Sequence, residues 1–136
     1  MFEKIRAAAL AMTLDLSPKH VEVAIRIPSQ PGLFFNVDLN LQNCDELHLS
    51  ALSLRAEWLP CTNQKTAHRY YEAVVGLLSG EFRILEHWRG RRIVLAQLQR
   101  PYQGKWKTIA STSNPTILFP WPPKTLKIIQ NTPAER

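Results

Sequence analysis

Between Arg83 and Lys107 the chain interleaves cations with flat rings. Arg83, Arg89, Arg91, Arg92, Arg100, Lys105 and Lys107 stand among Trp88, Tyr102 and Trp106. Single-stranded nucleic acid asks for this mixture, because cations follow the phosphates and each ring stacks a base for about 1–3 kcal/mol. Five of the seven cations are arginine, whose planar fork grips phosphate through two parallel bonds where lysine offers a point charge. The residues expected to contact such a ligand are Trp88, Arg89, Arg91, Arg92, Arg100, Tyr102, Lys105, Trp106 and Lys107. The plain alternative is two solvated hairpin ends with a tryptophan packed at each.

Other constellations are weaker. Glu86 and His87 resemble an acid–base pair, but neighbours on a strand point to opposite faces. His68, Arg69, Tyr71 and Glu72 on one helix have the residue types of metal-independent RNA cleavage. An ordinary helix flank with an Arg69–Glu72 surface pair is the better account of them. Cys44-x-x-x-His48 and Cys61-x₆-His68 miss the tight clips of structural zinc sites, so no metal is expected. The glycines at 32, 76, 80, 90 and 104 are scattered and form no phosphate loop. The chain therefore reads as a binding protein without a cofactor rather than an enzyme. A second class of reading places Trp58, Tyr70, Tyr71 and Phe82 around an apolar cleft between helix and sheet, for a small ligand or a protein. Aromatic rings between layers are also ordinary core.

The charge distribution favours the first class. Residues 1–62 carry five basic and seven acidic side chains, residues 63–136 twelve and four, which gives −2 and +8 within the overall +6. Such asymmetry points to an anionic partner, single-stranded DNA or RNA, although another protein or a homodimer through strand edges fits the pattern too. The 136 residues, 45% hydrophobic and 21% charged, suit one folded domain over residues 1–130 with a frayed tail at 131–136. No apolar run approaches the roughly 18 residues of a membrane span. The run at 7–12 after Lys4 and Arg6 is shorter than a signal-peptide core. Phe2, Ile5, Ala9 and Met12 recur instead at helical spacing. Cys44 and Cys61 read as thiols in a reducing compartment, so the expected location is cytoplasmic.

These residues must be positioned by the elements around them. After the N-terminal helix, alternation predicts strands at 20–27 and 33–41, joined by the Pro28–Gly32 turn into a hairpin. A third strand is expected at 49–58. Asn63 as N-cap and Gly80 as terminator bound a helix at 64–79. Segments 82–88 and 91–99 then bracket Arg89-Gly90. A turn on those two residues would pair Ile84 with Leu95 and make both hairpin faces half apolar. A sixth strand follows at 105–111, and prolines break the tail into an extended piece at 116–119 and an ambiguous stretch at 125–130. The expected fold is α+β, a single antiparallel sheet of about six strands with an N-terminal helix and one helix between strands three and four.

The run from Arg83 to Val94, followed by Gly104-Lys105-Trp106-Lys107, resembles the hairpin of single-strand DNA-binding transcriptional coactivators. The resemblance is confined to residues 83–107. The long helix that ends that family is replaced here by a proline-rich tail, so membership is not inferred. The order of elements over residues 1–80 resembles that of double-stranded RNA-binding domains. Gln64-Lys65-Thr66-Ala67 offers one lysine where they use a pair, and this half of the chain is acidic.

Overall fold

The computed structural model describes residues 13–17, 22–43, 45–114 and 124–132. Among them are nine strands in two antiparallel sheets and one helix. This corrects the expected six strands in a single sheet with two helices. The N-terminal helix expected at 2–12, Cys44 and the piece at 116–119 lie outside the described residues.

The first sheet is a five-stranded meander of β1 (Thr13–Ser17), β2 (Glu22–Ile27), β3 (Val37–Gln42), β4 (Glu46–Ala51) and β5 (Leu54–Trp58). The β2–β3 hairpin forms, but residues 28–36 connect it rather than Pro28–Gly32 alone and the second strand starts at Val37, with Ile27 opposite Val37 and Ile25 opposite Leu39. Ile25, Ile27, Val37, Leu39, Leu47, Leu49 and Leu54 are buried. Between them, Arg26 and Asp38 pair across the outer face at 2.8 Å. An exposed pair of this kind contributes little stability.

The strand expected at 49–58 is in fact two strands. The chain reverses at Leu52 and Ser53, with Ala51 opposite Leu54. The reversal moves the inward positions from odd residues (Leu47, Leu49, Ala51) to even ones from Leu54 on, and exposed Leu52 hides the change by extending the even-numbered alternation back into the turn. Leu52 adopts φ 53°, a conformation in which glycine or asparagine would have marked the turn. Its side chain is exposed rather than inward, 43% accessible.

Helix α1 (Gln64–Ser79) has the predicted bounds. Asn63 Oδ1 accepts from the amides of Lys65 at 2.9 Å and Thr66 at 3.4 Å. Gly80 ends the helix at φ 82°. Tyr70, Ala73, Val74 and Leu77 are buried along one face. Gly76 lets the Phe82 ring lie against the helix, since a Cβ there would sit 2.5 Å from the ring's Cγ.

The second sheet contains β6 (Arg83–Arg89), β7 (Arg92–Tyr102), β8 (Lys105–Ser113) and β9 (Lys124–Ile129), in the order β8-β7-β6-β9. The predicted β6–β7 register is wrong. The turn residues are Gly90 and Arg91, so Arg89 faces Arg92 and Trp88 faces Ile93. Gly90 with φ 60° takes the first central position, the place that a type II′ turn reserves for glycine. An irregularity beyond Trp88 then brings His87 opposite Leu95 and Ile84 opposite Leu98. Ile84, Glu86, Ala96 and Leu98 therefore share the inner face, while Leu95, Gln97 and Gln99 turn outward. The outer face keeps Leu85 and Leu95 among Arg83, His87, Gln97 and Gln99, so both faces carry apolar residues but with other members than the expected register gives.

Both inner faces and α1 share one buried cluster. Polar contacts join its parts. The Ser53 hydroxyl donates to the buried carboxylate of Glu86 at 2.7 Å. Thr112 Oγ1 accepts from the Arg55 amide and donates to its carbonyl, fastening the β5 edge to β8. Asn131, assigned by sequence to a frayed tail, is 2% exposed. It accepts from the Phe34 amide at 3.0 Å and donates to the Leu77 carbonyl at 2.8 Å, tying together three distant segments.

Asn131→Ala leaves the buried Leu77 carbonyl without this donor and removes a bond from the part-buried Phe34 amide, and it should cost about 1–3 kcal/mol, read as a lower urea midpoint. Tyr70 donates to the His48 carbonyl at 3.0 Å, and burial pushes its phenol pKa up. A raised pKa means that Tyr70 contributes fully below about pH 10 and loses that contribution as the unfolded chain ionises above it. Tyr70→Phe should be about 1 kcal/mol less stable at neutral pH. The variant should nevertheless lose less stability than the wild type between about pH 9 and 11, measured by denaturant titration at both values.

Candidate functional site

The β7–β8 hairpin turns on Gln103 and Gly104, with φ 50° and 73°. A Cβ on Gly104 would meet nothing within 4 Å, so the turn stands in solvent. Pro101 faces Trp106, and Tyr102 faces Lys105. On the outer side the Arg83 guanidinium lies over the Trp106 ring, 4.1 Å from its centre. Arg83 Nε also donates to Gln99 Oε1 at 2.9 Å, and Gln99 Nε2 donates to Thr108 Oγ1 at 3.2 Å. These bonds align the guanidinium with the ring, and Trp106 keeps 37% of its surface exposed. On the other side the Lys107 ammonium sits 5.1 Å from the Tyr102 ring centre. Arg100 turns inward, 6.0 Å from the Phe82 ring, with its Nε buried and unpartnered.

Arg100, Tyr102, Lys105, Trp106 and Lys107 thus gather at one end, joined by Arg83. Sequence reasoning placed Arg83 in the basic stretch but not among the contact residues. Its stacking on Trp106 follows from the Arg83–Gln99 register, which depends on the turn and the irregularity behind it. Trp88, Arg89, Arg91 and Arg92 occupy the opposite end of the eleven-residue β7, roughly 33 Å away. There Arg91 and Arg92 are exposed, and Arg89 lies between Arg92 and Lys124 in register. Trp88 shares the inward parity of Ile84 and Glu86, half-buried, with Nε1 unpartnered. The nine predicted residues form two clusters, not one.

What lies between the clusters is mixed, with half-buried Leu85 and Leu95 among polar side chains. On β8, Thr108, Ser111 and Ser113 are exposed and share the outer face with Trp106. On the central strands, His87 Nε2 lies 2.7 Å from Gln97 Oε1. Leu126 and Ile128 are exposed on the far edge. Residues 83–113 and 124–129 include nine Lys and Arg against one acid, and that acid, Glu86, is buried on the inner face.

The four rings proposed for an apolar cleft fill space instead. Trp58 and Tyr70 meet edge to face with centroids 5.5 Å apart. Tyr70 is fully buried, Phe82 lies against Gly76, and Tyr71 packs beside the core. Of the four, Trp58 borders a cavity of about 430 Å³ between β5 and β8, lined also by His48, Arg55, Glu57, Ile109 and Ser111.

Among the described residues, one group of side chains has the makings of a metal site: Glu46, His48 and Glu57, with ligand atoms all within 4.8 Å of one another. His68 forms an exposed i,i+4 pair with Glu72 at 3.1 Å. Glu86 and His87 do point apart, the first to Ser53 and the second to Gln97. Cys61 is half-buried beside the core. No helix among the described residues is long and apolar enough to cross a membrane. Comparison with protein-family models, curated proteins and solved structures finds no match to this chain.

Proposed function

We propose that the protein binds single-stranded nucleic acid along the outer face of its second sheet. The observation that carries this reading is the Arg83–Trp106 stack, a flat platform held at 4.1 Å and exposed on the outer side of the hairpin whose opposite side carries Lys105 and Lys107. Its guanidinium and indole planes suit a base, and the neighbouring ammonium groups suit the flanking phosphates. From the stack, the β8 hydroxyls of Thr108, Ser111 and Ser113 lead to the Arg91–Arg92 tip. Hydroxyls and backbone amides commonly bind sugar and phosphate without reading sequence. The inward placement of Trp88 makes Trp106 the stacking ring of this face, with Tyr102 on the hairpin's other side and Arg89, Arg91 and Arg92 acting on phosphates alone. A ligand in the aromatic cleft has less support, because its rings are packed against one another.

Fluorescence anisotropy of labelled single-stranded DNA and RNA at about 50 and 200 mM salt tests the proposal. Affinity should fall steeply across that range. Trp106→Ala should weaken binding about tenfold or more, the loss of one stacked base. Lys105→Ala and Lys107→Ala should each lower the salt slope by about 0.7 while leaving the stacking contribution in place. Reversing charge at Arg89, Arg91 and Arg92 together should remove most of the remaining salt dependence. Absence of binding at the lower salt, or unchanged affinity in Trp106→Ala, would overturn the assignment.

A further inference from the structure

The outer face of the first sheet carries a second, unrelated arrangement. Glu46 and His48 are two apart on β4 and therefore project from one face. Glu57 of β5 stands directly opposite His48 in the register. Glu46 Oε2 is 3.2 Å from His48 Nε2, and Glu57 Oε2 is 4.0 Å from Nδ1. Two carboxylates thus converge on one imidazole, and neither forms an ion pair with a lysine or arginine among the described residues. The backbone beneath is anchored, because the buried Tyr70 hydroxyl bonds the His48 carbonyl. His48 and Glu57 also border the 430 Å³ cavity, whose lining includes the Arg55 guanidinium. Arg55 is occupied through one nitrogen, Nη1, which donates to the Leu52 and Leu54 carbonyls.

We propose that Glu46, His48 and Glu57 bind one divalent ion of the zinc class, with coordination positions left open beside the cavity. Two atoms bound to zinc at tetrahedral angles lie about 3.3 Å apart, close to the observed separation of Glu46 Oε2 from His48 Nε2. Glu57 Oε2 stands by the other ring nitrogen, Nδ1, and its 60% exposed side chain has to swing along the imidazole edge to join Glu46 at Nε2. An imidazole among the ligands favours zinc, cobalt or nickel over magnesium and calcium, which prefer oxygen alone. Three protein ligands beside a cavity match the open kind of zinc site rather than the closed structural kind. Arg55 suits an anionic ligand, carboxylate or phosphate, as the ion's further partner. The sequence hid this site, since its spacing joins a strand to its neighbour across the Leu52–Ser53 turn that alternation conceals.

The test is titration of the full chain with Zn²⁺ by calorimetry and with Co²⁺ by visible absorption. One ion should bind per chain, and millimolar Mg²⁺ should not displace it. Glu57→Gln and Glu46→Gln should each weaken binding at least about tenfold, the lower end of what losing even a supporting partner costs. His48→Ala should abolish it. Glu57 is exposed, so Glu57→Gln keeps the test valid should His48→Ala fail to fold. His68→Ala removes the exposed helical His68–Glu72 pair, and Cys61→Ser removes a thiol; both should leave binding unchanged. Loss of binding in either of those two, a thiolate signature in the Co²⁺ spectrum, or no binding below about 100 μM would overturn the proposal.

Discussion

Each sheet presents one apolar face that must be removed from water, and a single helix is too narrow to cover both. The solution is one shared interior. Ile25, Leu39 and Leu49 from the first sheet meet Ile84, Ala96 and Leu98 from the second, with Tyr70, Val74 and Leu77 of the helix among them. Burial of this kind dominates folding free energy, and it dictates which side of every strand is left for function. The polar contacts across the interior refine the arrangement. Ser53 satisfies the Glu86 carboxylate, Thr112 continues the β5 edge, and Asn131 satisfies backbone groups from two other segments. A buried carboxylate or carbonyl without such a partner would oppose the same packing.

The outer faces inherit what the shared interior leaves over, and they differ. The first sheet's outer face mixes signs, with Arg26, Asp38, Glu46, His48, Arg55 and Glu57 spread over neighbouring strands. The second sheet's outer face carries Arg83, Arg89, Arg92 and Lys124 without an acid, and Glu86 is turned inward. The charge asymmetry of the chain therefore becomes a spatial asymmetry between two surfaces. The two proposed sites use opposite chemistry accordingly, anionic phosphates against the second sheet and a cation against the first. The β5–β8 groove runs between them, lined by Arg55 and Ser111.

Alternation and caps made several elements legible in the chain. The β2–β3 hairpin and the helix bounds at Asn63 and Gly80 depend on nearest-neighbour rules, apolar period, side-chain capping and glycine's left-handed conformation. The Leu52–Ser53 reversal was not legible, because exposed Leu52 carries the alternation of Leu54, Ala56 and Trp58 back into a turn that holds no glycine or asparagine. The β6–β7 register failed by a different route. Gly90 marked a turn correctly but not which of two positions it held, and an irregularity farther along shifted the pairing again. That shift put Leu98 inside and set Leu95 with Gln97 and Gln99 on the outer face between the two basic clusters.

The sequence by itself determined composition, the −2/+8 charge split, the helix and the residue types concentrated in 83–107. Each of these follows from the identity of one residue or from spacing within one element. Only the tertiary structure decided that Trp88 turns inward while Trp106 remains exposed under Arg83. It alone brought Glu46, His48 and Glu57 together. The physical reason is that a side chain's neighbours across a sheet depend on strand register. Register is set by turn geometry and by which face the core claims, and both are properties of the whole fold rather than of a short stretch of chain.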